Sequence, residues 1–443
     1  MRRPTPSQPS GGDQPSRRSL RSDAGGDDAR AAARAAAREA EIPVETPPRH
    51  VARRSRVTKR TRRRRIVWWT AGSLAVVLIA VIAFAATTYF RVVGNISENV
   101  VARPGSTSTS QAPTIPNWDG AVNLLIMGSD TRTGQTTGDY GQADESGARS
   151  DVMMVLHVSA DHKNATLISI PRDTMMAIPQ CTKADGTVVD AQSVAQINGA
   201  LDNGPFCSLD AIKAFTGLDI DHFIVVDFDA VIGMTDAIGG VDVCVAEDVD
   251  DPYSGLQLTA GEHTIQGAQA LAFLRTRHGF GDGSDLGRIS AQQTFLSSLA
   301  RKVKSAGTLT NPVALFNLAD SATKSITVDE GLGNPAALVG LAGTLAGVDL
   351  NRMVLIQLPV EDYLPDPNRV QPIADQSAAI FAALKADQPL TFASDPGTGT
   401  PSDAPTDTPA DGSTEAPAAP PVTSVALPDQ AKGQTAADAT CAK

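Results

Sequence analysis

Residues 66–90, "IVWWTAGSLAVVLIAVIAFAATTYF", run for 25 positions without a charge. A helix rising about 1.5 Å per residue over that length spans a hydrocarbon core of roughly 30 Å with some tilt to spare. Trp68 and Trp69 at one end and Tyr89 at the other suit the two interfaces. A cleavable signal has an apolar stretch of only about 7–15 residues close to the N-terminus. The run therefore reads as an uncleaved transmembrane helix, and whatever folds must fold on one side of it.

Charge divides at the same place. Residues 1–65 hold 18 Lys and Arg against 7 Asp and Glu, whereas the other 378 residues hold 20 against 42. A densely basic flank from Arg53 to Arg65 keeps the N-terminus in the cytoplasm under the positive-inside rule. The acidic bulk is then extracytoplasmic and the protein a single-pass resident of the plasma membrane. Because the basic flank is needed to orient the helix, no nucleic-acid partner is expected.

Composition marks five regions. Residues 1–65 lack a sustained apolar period and read as a disordered basic cytoplasmic segment; 66–90 is the span; 91–117 has linker composition; 393–443 reads as a disordered Pro/Ala/Thr-rich tail. Between them, 118–392 alternates short apolar runs with helical periods. "AVNLLIM" (121–127), "DVMMVLHVS" (151–159), "ATLISI" (165–170), "HFIVVDF" (222–228), "GVDVCV" (240–245) and "MVLIQLPV" (353–360) read as strands, several apolar on both faces. Residues 208–217, 229–240, 266–274, 285–303 and 376–387 read as helices. The expected class is α/β or α+β, a mixed sheet flanked by helices.

Four cysteines allow three full pairings. Cys181 and Cys207 bracket a polar stretch with little core of its own, and a disulfide between them is expected there. Cys244, in an apolar strand, reads as a small buried hydrophobe, and Cys441, in the tail, as unpaired.

Between residues 104 and 300 there are only six arginines: Arg132, Arg149, Arg172, Arg275, Arg277 and Arg288. Each lies beside a strand end or a helix start, where active-site loops sit. Arg275 and Arg277, two apart in a segment read as extended, point to one side; Arg288 and Gln292, four apart on a helix, share a face. Guanidiniums that converge repel one another unless an anion joins them, and pyrophosphate fits the bidentate fork. Asp130 and Asp151 stand at neighbouring strand ends, a pair suited to an octahedral Mg2+ (or Mn2+) that takes its other ligands from phosphate and water. For each aspartate alone, a turn-capping role is the plain alternative. No zinc spacing, nucleophile elbow, Walker loop or dinucleotide fingerprint is present.

At "NLLIMGSDTR" (123–132), "RSDVMMVL" (149–156), "ISIPRD" (168–173), "DHFIVVDF" (221–228), "GGVDV" (239–243) and "ALAFLRTRHGFGDGSDLGRISAQQ" (270–293) the chain resembles the LytR-CpsA-Psr family, in its actinobacterial form. The resemblance implies a Mg-dependent phosphotransferase. Its donor would be a polyprenyl-pyrophosphate glycopolymer, its acceptor a peptidoglycan sugar hydroxyl, the 6-hydroxyl of N-acetylmuramic acid in most relatives, and its by-product polyprenyl phosphate. Carried across by motif, Asp130 and Asp151 would hold the metal, and Arg149, Arg172, Arg275, Arg277, Arg288 and Gln292 the pyrophosphate. Arg172, Asp173, Arg275 and Arg277 form the implied catalytic set, and an apolar groove would accept the lipid. Where the family often has a second arginine before its paired glutamines, this chain has Ala291.

Two other readings stay open on the residues alone. The same site with water as acceptor would be a lipid-pyrophosphate hydrolase. A module that binds the carrier without chemistry would be a membrane-anchored wall-binding or regulatory protein.

Overall fold

The computed structural model describes residues 59–103, 120–129, 150–281, 285–305, 312–392, 424–428 and 430–443. Strands β1 (Val100–Val101), β2 (Val122–Ser129), β3 (Ser150–Val158), β4 (Ala165–Ile170), β5 (His222–Val226), β8 (Ile326–Asp329), β9 (Met353–Gln357) and β10 (Gly433–Thr435) form one mixed sheet. β6 (Val241–Val245), β7 (Gly261–Ile265) and β11 (Cys441–Ala442) form a smaller one. The large sheet runs β1-β8-β5-β2-β3-β4-β9-β10. Its centre is the antiparallel run β2-β3-β4, with β5 parallel to β2 and β9 parallel to β4.

The run Leu124-Leu125 explains the layering. Successive side chains on a strand face opposite ways, and the two enter different cores. Leu125, Met127, Val155 and Ile168 pack with Leu209 and Ile212 of α2 (Pro205–Thr216) and with Ile380 and Phe381 of α8 (Ala374–Lys385). Leu124, Leu156 and Val158 pack with Ala230 of α3 (Phe228–Ala237) and with Ala337 and Leu341 of α7 (Pro335–Gly347). Strands covered on both faces need apolar residues throughout, which is why these runs do not alternate. A third core lies among β6, β7, α4 (Gly267–Arg275) and α5 (Asp285–Lys304), around Phe273, Phe280 and Phe295. The mixed α/β class expected from the sequence is the class observed.

Three expectations need correction. Residues from 91 onward do not begin a linker: α1 (Lys59–Glu98) continues to Glu98, and Val100–Val101 pairs with β8. The exposed apolar positions of α1 fall from Ile66 to Phe90, but Val92 and Ile96 are buried in the second core, because the helix there meets protein. By length and composition, Arg64–Glu98 is long and apolar enough to cross a membrane.

The tail is likewise folded at its far end. β10 pairs antiparallel with β9, and β11 lies parallel to β6. Leu427 and Ala431 enter the first core and Ala442 the third. Cys441 is neither unpaired nor is Cys244 a free buried hydrophobe: the two are opposite each other in the β6-β11 ladder and form a disulfide. The disulfide expected between Cys181 and Cys207 is present, with Cα atoms 5.4 Å apart.

Candidate active site

The site forms at one end of the large sheet. Ser129, the last residue of β2, pairs with Ser150, the first of β3, so Asp151 sits at the edge where β2 runs out. Ile170 of β4 pairs with Met153, which brings Arg172 and Asp173 to the same edge. β5 ends there too, and Asp227 caps α3, accepting the Ala230 amide at 2.7 Å. Burial pushes the Asp227 carboxyl above its ordinary range, and the neighbouring Asp229 charge adds to this.

Asp151 gathers three arginines from three elements. Arg172 Nη1 donates to its Oδ1; Arg277 Nη2 lies 3.5 Å and Arg288 Nη1 4.0 Å from the same oxygen. Arg288, only 3% exposed on the first turns of α5, also donates through Nη2 to the Asp151 backbone carbonyl at 2.7 Å. Burial pushes the Asp151 carboxyl up, but Arg288, Arg172 and Arg277 together outweigh it and hold the group below the ordinary carboxylate range.

The other arginine of the quoted pair goes elsewhere. Arg275 is the last residue of α4 rather than part of an extended arm, and its guanidinium lies over the Phe228 ring, 4.7 Å from the centroid. Thr276, extended, turns the chain so that Arg277 reaches Asp151. Gln292 shares the buried face of α5 with Arg288, and its Nε2 donates to the Leu274 carbonyl at 3.1 Å, tying α5 to α4. Asp130 and Arg149 lie outside the described residues.

Asp173 has its own set of donors. Arg369 Nη1 reaches its Oδ1 at 3.1 Å, Gln196 Nε2 donates to the same atom, and Arg172 Nε lies 3.5 Å from Oδ2. Arg369 and Gln196 were not singled out in the sequence. Arg369 falls almost 200 residues after Asp173 in the chain, and Gln196 sits in a stretch whose polarity reads as loop. For Arg369 the one local signal is its place in the Pro- and Asp-rich turn sequence "LPDPNRVQP" (364–372).

Two cavities meet at this cluster. One, about 460 Å³, is walled by apolar side chains including Ile126, Met154, Val231, Leu271, Phe295 and Leu299, with Arg275, Arg277, Arg288 and Asp151 also in its lining. The second, about 570 Å³, is polar and includes Arg172, Asp173, Gln196 and Arg369. Asp151 and Arg277 belong to both. Ala291 lines neither and is buried in the third core. Phe280 is buried beside Phe273, and a Cβ on Gly287 would come 2.7 Å from the Phe280 carbonyl. Glycine at 287 thus serves the close approach of the arginine loop to α5.

The LytR_cpsA_psr family model matches residues 90–385. The chain belongs to that family. A cell wall biosynthesis protein, LcpA of Corynebacterium glutamicum, is 37% identical over 237 residues, covering 48% of this chain and 46% of that protein. The chain therefore spans about half the length of that relative. The polyisoprenyl-teichoic acid–peptidoglycan teichoic acid transferase TagV of Bacillus subtilis is 25% identical, with 63% of this chain and 67% of that protein covered. A LytR-Csp2A-Psr enzyme from Actinomyces oris has a solved structure 23% identical to this chain, with a TM-score of 0.48, covering 65% of this chain and 96% of that one. The matched span of the family model takes in Asp151, Arg172, Asp173, Arg277, Arg288 and Arg369.

Proposed function

We propose that this protein is a membrane-anchored phosphotransferase. It moves a glycopolymer phosphate from a polyprenyl-pyrophosphate carrier to a peptidoglycan sugar hydroxyl, the 6-hydroxyl of N-acetylmuramic acid, and releases polyprenyl phosphate. The observation that carries the reading is the apolar cavity of about 460 Å³ opening onto Asp151, Arg277 and Arg288. A ligand with a hydrocarbon tail and a polyanionic head matches that junction. Family membership, and a relative named as a teichoic acid transferase, support the same class of reaction.

In this reading the tail lies among Met154, Leu271 and Phe295, and the pyrophosphate replaces Asp151 as the partner of Arg172, Arg277 and Arg288. The acceptor oxygen attacks the glycan-side phosphorus from the polar cavity. Its bond to phosphorus forms as the bond to the bridging oxygen breaks, and the electron pair leaves on polyprenyl phosphate. The guanidiniums offset the charge that grows on that leaving group. The hydroxyl proton passes to Asp173, a carboxylate of the polar cavity.

The chemistry of Asp151 suits a divalent cation. The carboxylate contacts described for Asp151 all run through Oδ1, and Oδ2 is a hard oxygen donor of the kind Mg2+ or Mn2+ takes. Asp151 would hold the ion with Asp130. Among the described residues no group of three or more His, Cys, Asp or Glu side chains gathers, so phosphate and water would complete its shell. When bound, the ion supplies further positive charge to the phosphoryl oxygens. The basic residues before the span support an orientation with the N-terminus in the cytoplasm and the site outside.

The test is transfer by the full chain in detergent, given a polyprenyl-pyrophosphate glycan, peptidoglycan and Mg2+. Coupled product is expected, and Arg277→Ala should lower its rate by about 10²–10³, the usual effect of removing one charge-stabilising donor. Release of glycan phosphate without coupling would instead identify a hydrolase. An Asp151→Ala chain that fully complements a deletion would leave only a binding role.

A further inference from the structure

We propose that the segment closed by the Cys181–Cys207 disulfide is the acceptor subsite, a wall of amide side chains that binds the hydroxyl and acetamido groups of a glycan strand. The proposal rests on the transfer reading and assigns its second substrate a place.

The polar cavity has two unlike sides. Arg172, Asp173, Arg277 and Arg369, with Asp151, make the charged side. Gln192, Gln196, Asn198, Gly199, Asp202 and Asn203 make the other, and all six fall between Cys181 and Cys207. Gln196 is committed to Asp173. The side chains of Gln192, Asn198, Asp202 and Asn203 take no part in the hydrogen bonds described within the protein, although they line a cavity. An amide offers both a donor pair and an acceptor, the complement of a sugar hydroxyl or an acetamido group. It brings no net charge, and Asp202 disfavours a phosphate on this side. A volume of about 570 Å³ lies within the range of roughly 300–1,000 Å³ usual for small-molecule sites.

The position suits an acceptor. Asp151 and Arg277 form the partition, so a donor phosphate held by the arginines is reached from the apolar cavity on one side and from the amide wall on the other. The segment has little core of its own: its strands are two to five residues long, Val188 and Val194 are exposed, and its main backbone tie is the pairing of Gln192–Gln196 with Met175–Ile178. Ile197, Ala200 and Leu201 pin one end to the first core, and the buried disulfide pins the rest. Without such a closure a polar stretch of this kind would sample many shapes, and its amides would not be held at the partition.

The experiment uses the full chain in detergent and two probes, an N-acetylglucosamine–N-acetylmuramic acid tetrasaccharide and geranylgeranyl pyrophosphate, each titrated calorimetrically. The parent is expected to bind both. The Gln192→Ala, Asn203→Ala double variant should bind the tetrasaccharide about tenfold more weakly, through the loss of two amide contacts, with its affinity for geranylgeranyl pyrophosphate unchanged. Cys181→Ser with Cys207→Ser should show the same split. Equal tetrasaccharide affinity in parent and double variant, no tetrasaccharide binding by the parent, or parallel weakening of both probes overturns the subsite. A parent that binds the tetrasaccharide but not geranylgeranyl pyrophosphate counts against the transfer reading instead.

Discussion

A carboxylate ringed by guanidiniums is what an anion site looks like when one of its own side chains stands in for the ligand. Asp151 fills that place between Arg172, Arg277 and Arg288. Against the upward push of burial, Arg288, Arg172 and Arg277 hold its folded carboxyl below the ordinary carboxylate range, so its contribution to stability is fully present above that range. That contribution is lost as pH falls through the lower folded value. Asp151→Asn removes the charge and keeps the shape. We expect it to destabilise the fold by roughly 1–3 kcal/mol, the cost of leaving buried donors poorly matched. In chelator, inorganic pyrophosphate should then raise the melting temperature of the variant more than that of the parent, because nothing competes for the arginines. An equal rise in both would mean that Asp151 does not occupy the anion's place. Much of this cluster is legible in the sequence because arginine is scarce in the body of the chain and falls at strand and helix ends. Arg275 misleads for a local reason: the helical period of α4 runs one residue further than expected, and one residue turns the side chain onto Phe228.

Among the elements, the strands were the most readable, since runs such as "NLLIM" and "ATLISI" are apolar on both faces and admit few other settings. The segment from Lys432 to Lys443 was the least. Its composition is polar, and composition averages over a window, whereas what orders this segment is a few long-range contacts. Arg301 of α5 donates to the Ala436 and Asp438 carbonyls at 2.9 and 2.6 Å, Gln434 donates to Ser297 Oγ at 2.8 Å, and Ala442 is buried. The segment thus straps the helix that carries Arg288. It also touches the arginine loop, since the Gly281 amide donates to the Lys443 carbonyl at 2.7 Å. Its covalent fastening is Cys244–Cys441, which closes a span of 197 residues. Losing a native disulfide typically costs about 2–5 kcal/mol. Cys441→Ser should lower stability by an amount in that range and speed hydrogen exchange at the Gly281 amide, while β2 and β3 keep their protection. Unchanged exchange at Gly281 would show that the strap does not hold the loop.

On the scale of the whole molecule, the last two turns of the helix that carries the apolar run are a structural part of the folded body. A flexible linker in their place would leave the domain indifferent to the removal of residues 91–102. Here α1 carries Val92 and Ile96 into the second core, Arg91 Nε lies 2.9 Å from Oδ1 of Asp320 on α6 (Pro312–Ser325), and Asn95 Nδ2 donates to the same oxygen at 3.3 Å. Asn99 then reaches the Thr323 and Lys324 carbonyls, and β1 adds a parallel strand beside β8. The sequence hid this continuity, because the charge at Arg91 that ends the uncharged run is easily taken for the end of the helix. Burying an aliphatic side chain of this size contributes about 1.5–3 kcal/mol. A chain beginning at Arg91 should therefore keep most of the stability of the domain, and one beginning at Arg103 should lose several kcal/mol. The second should also show a lower urea midpoint at similar cooperativity. Matching midpoints would return residues 91–102 to the role of linker. A lower midpoint would mean that the helix long and apolar enough to cross a membrane also completes the core on which the site is built.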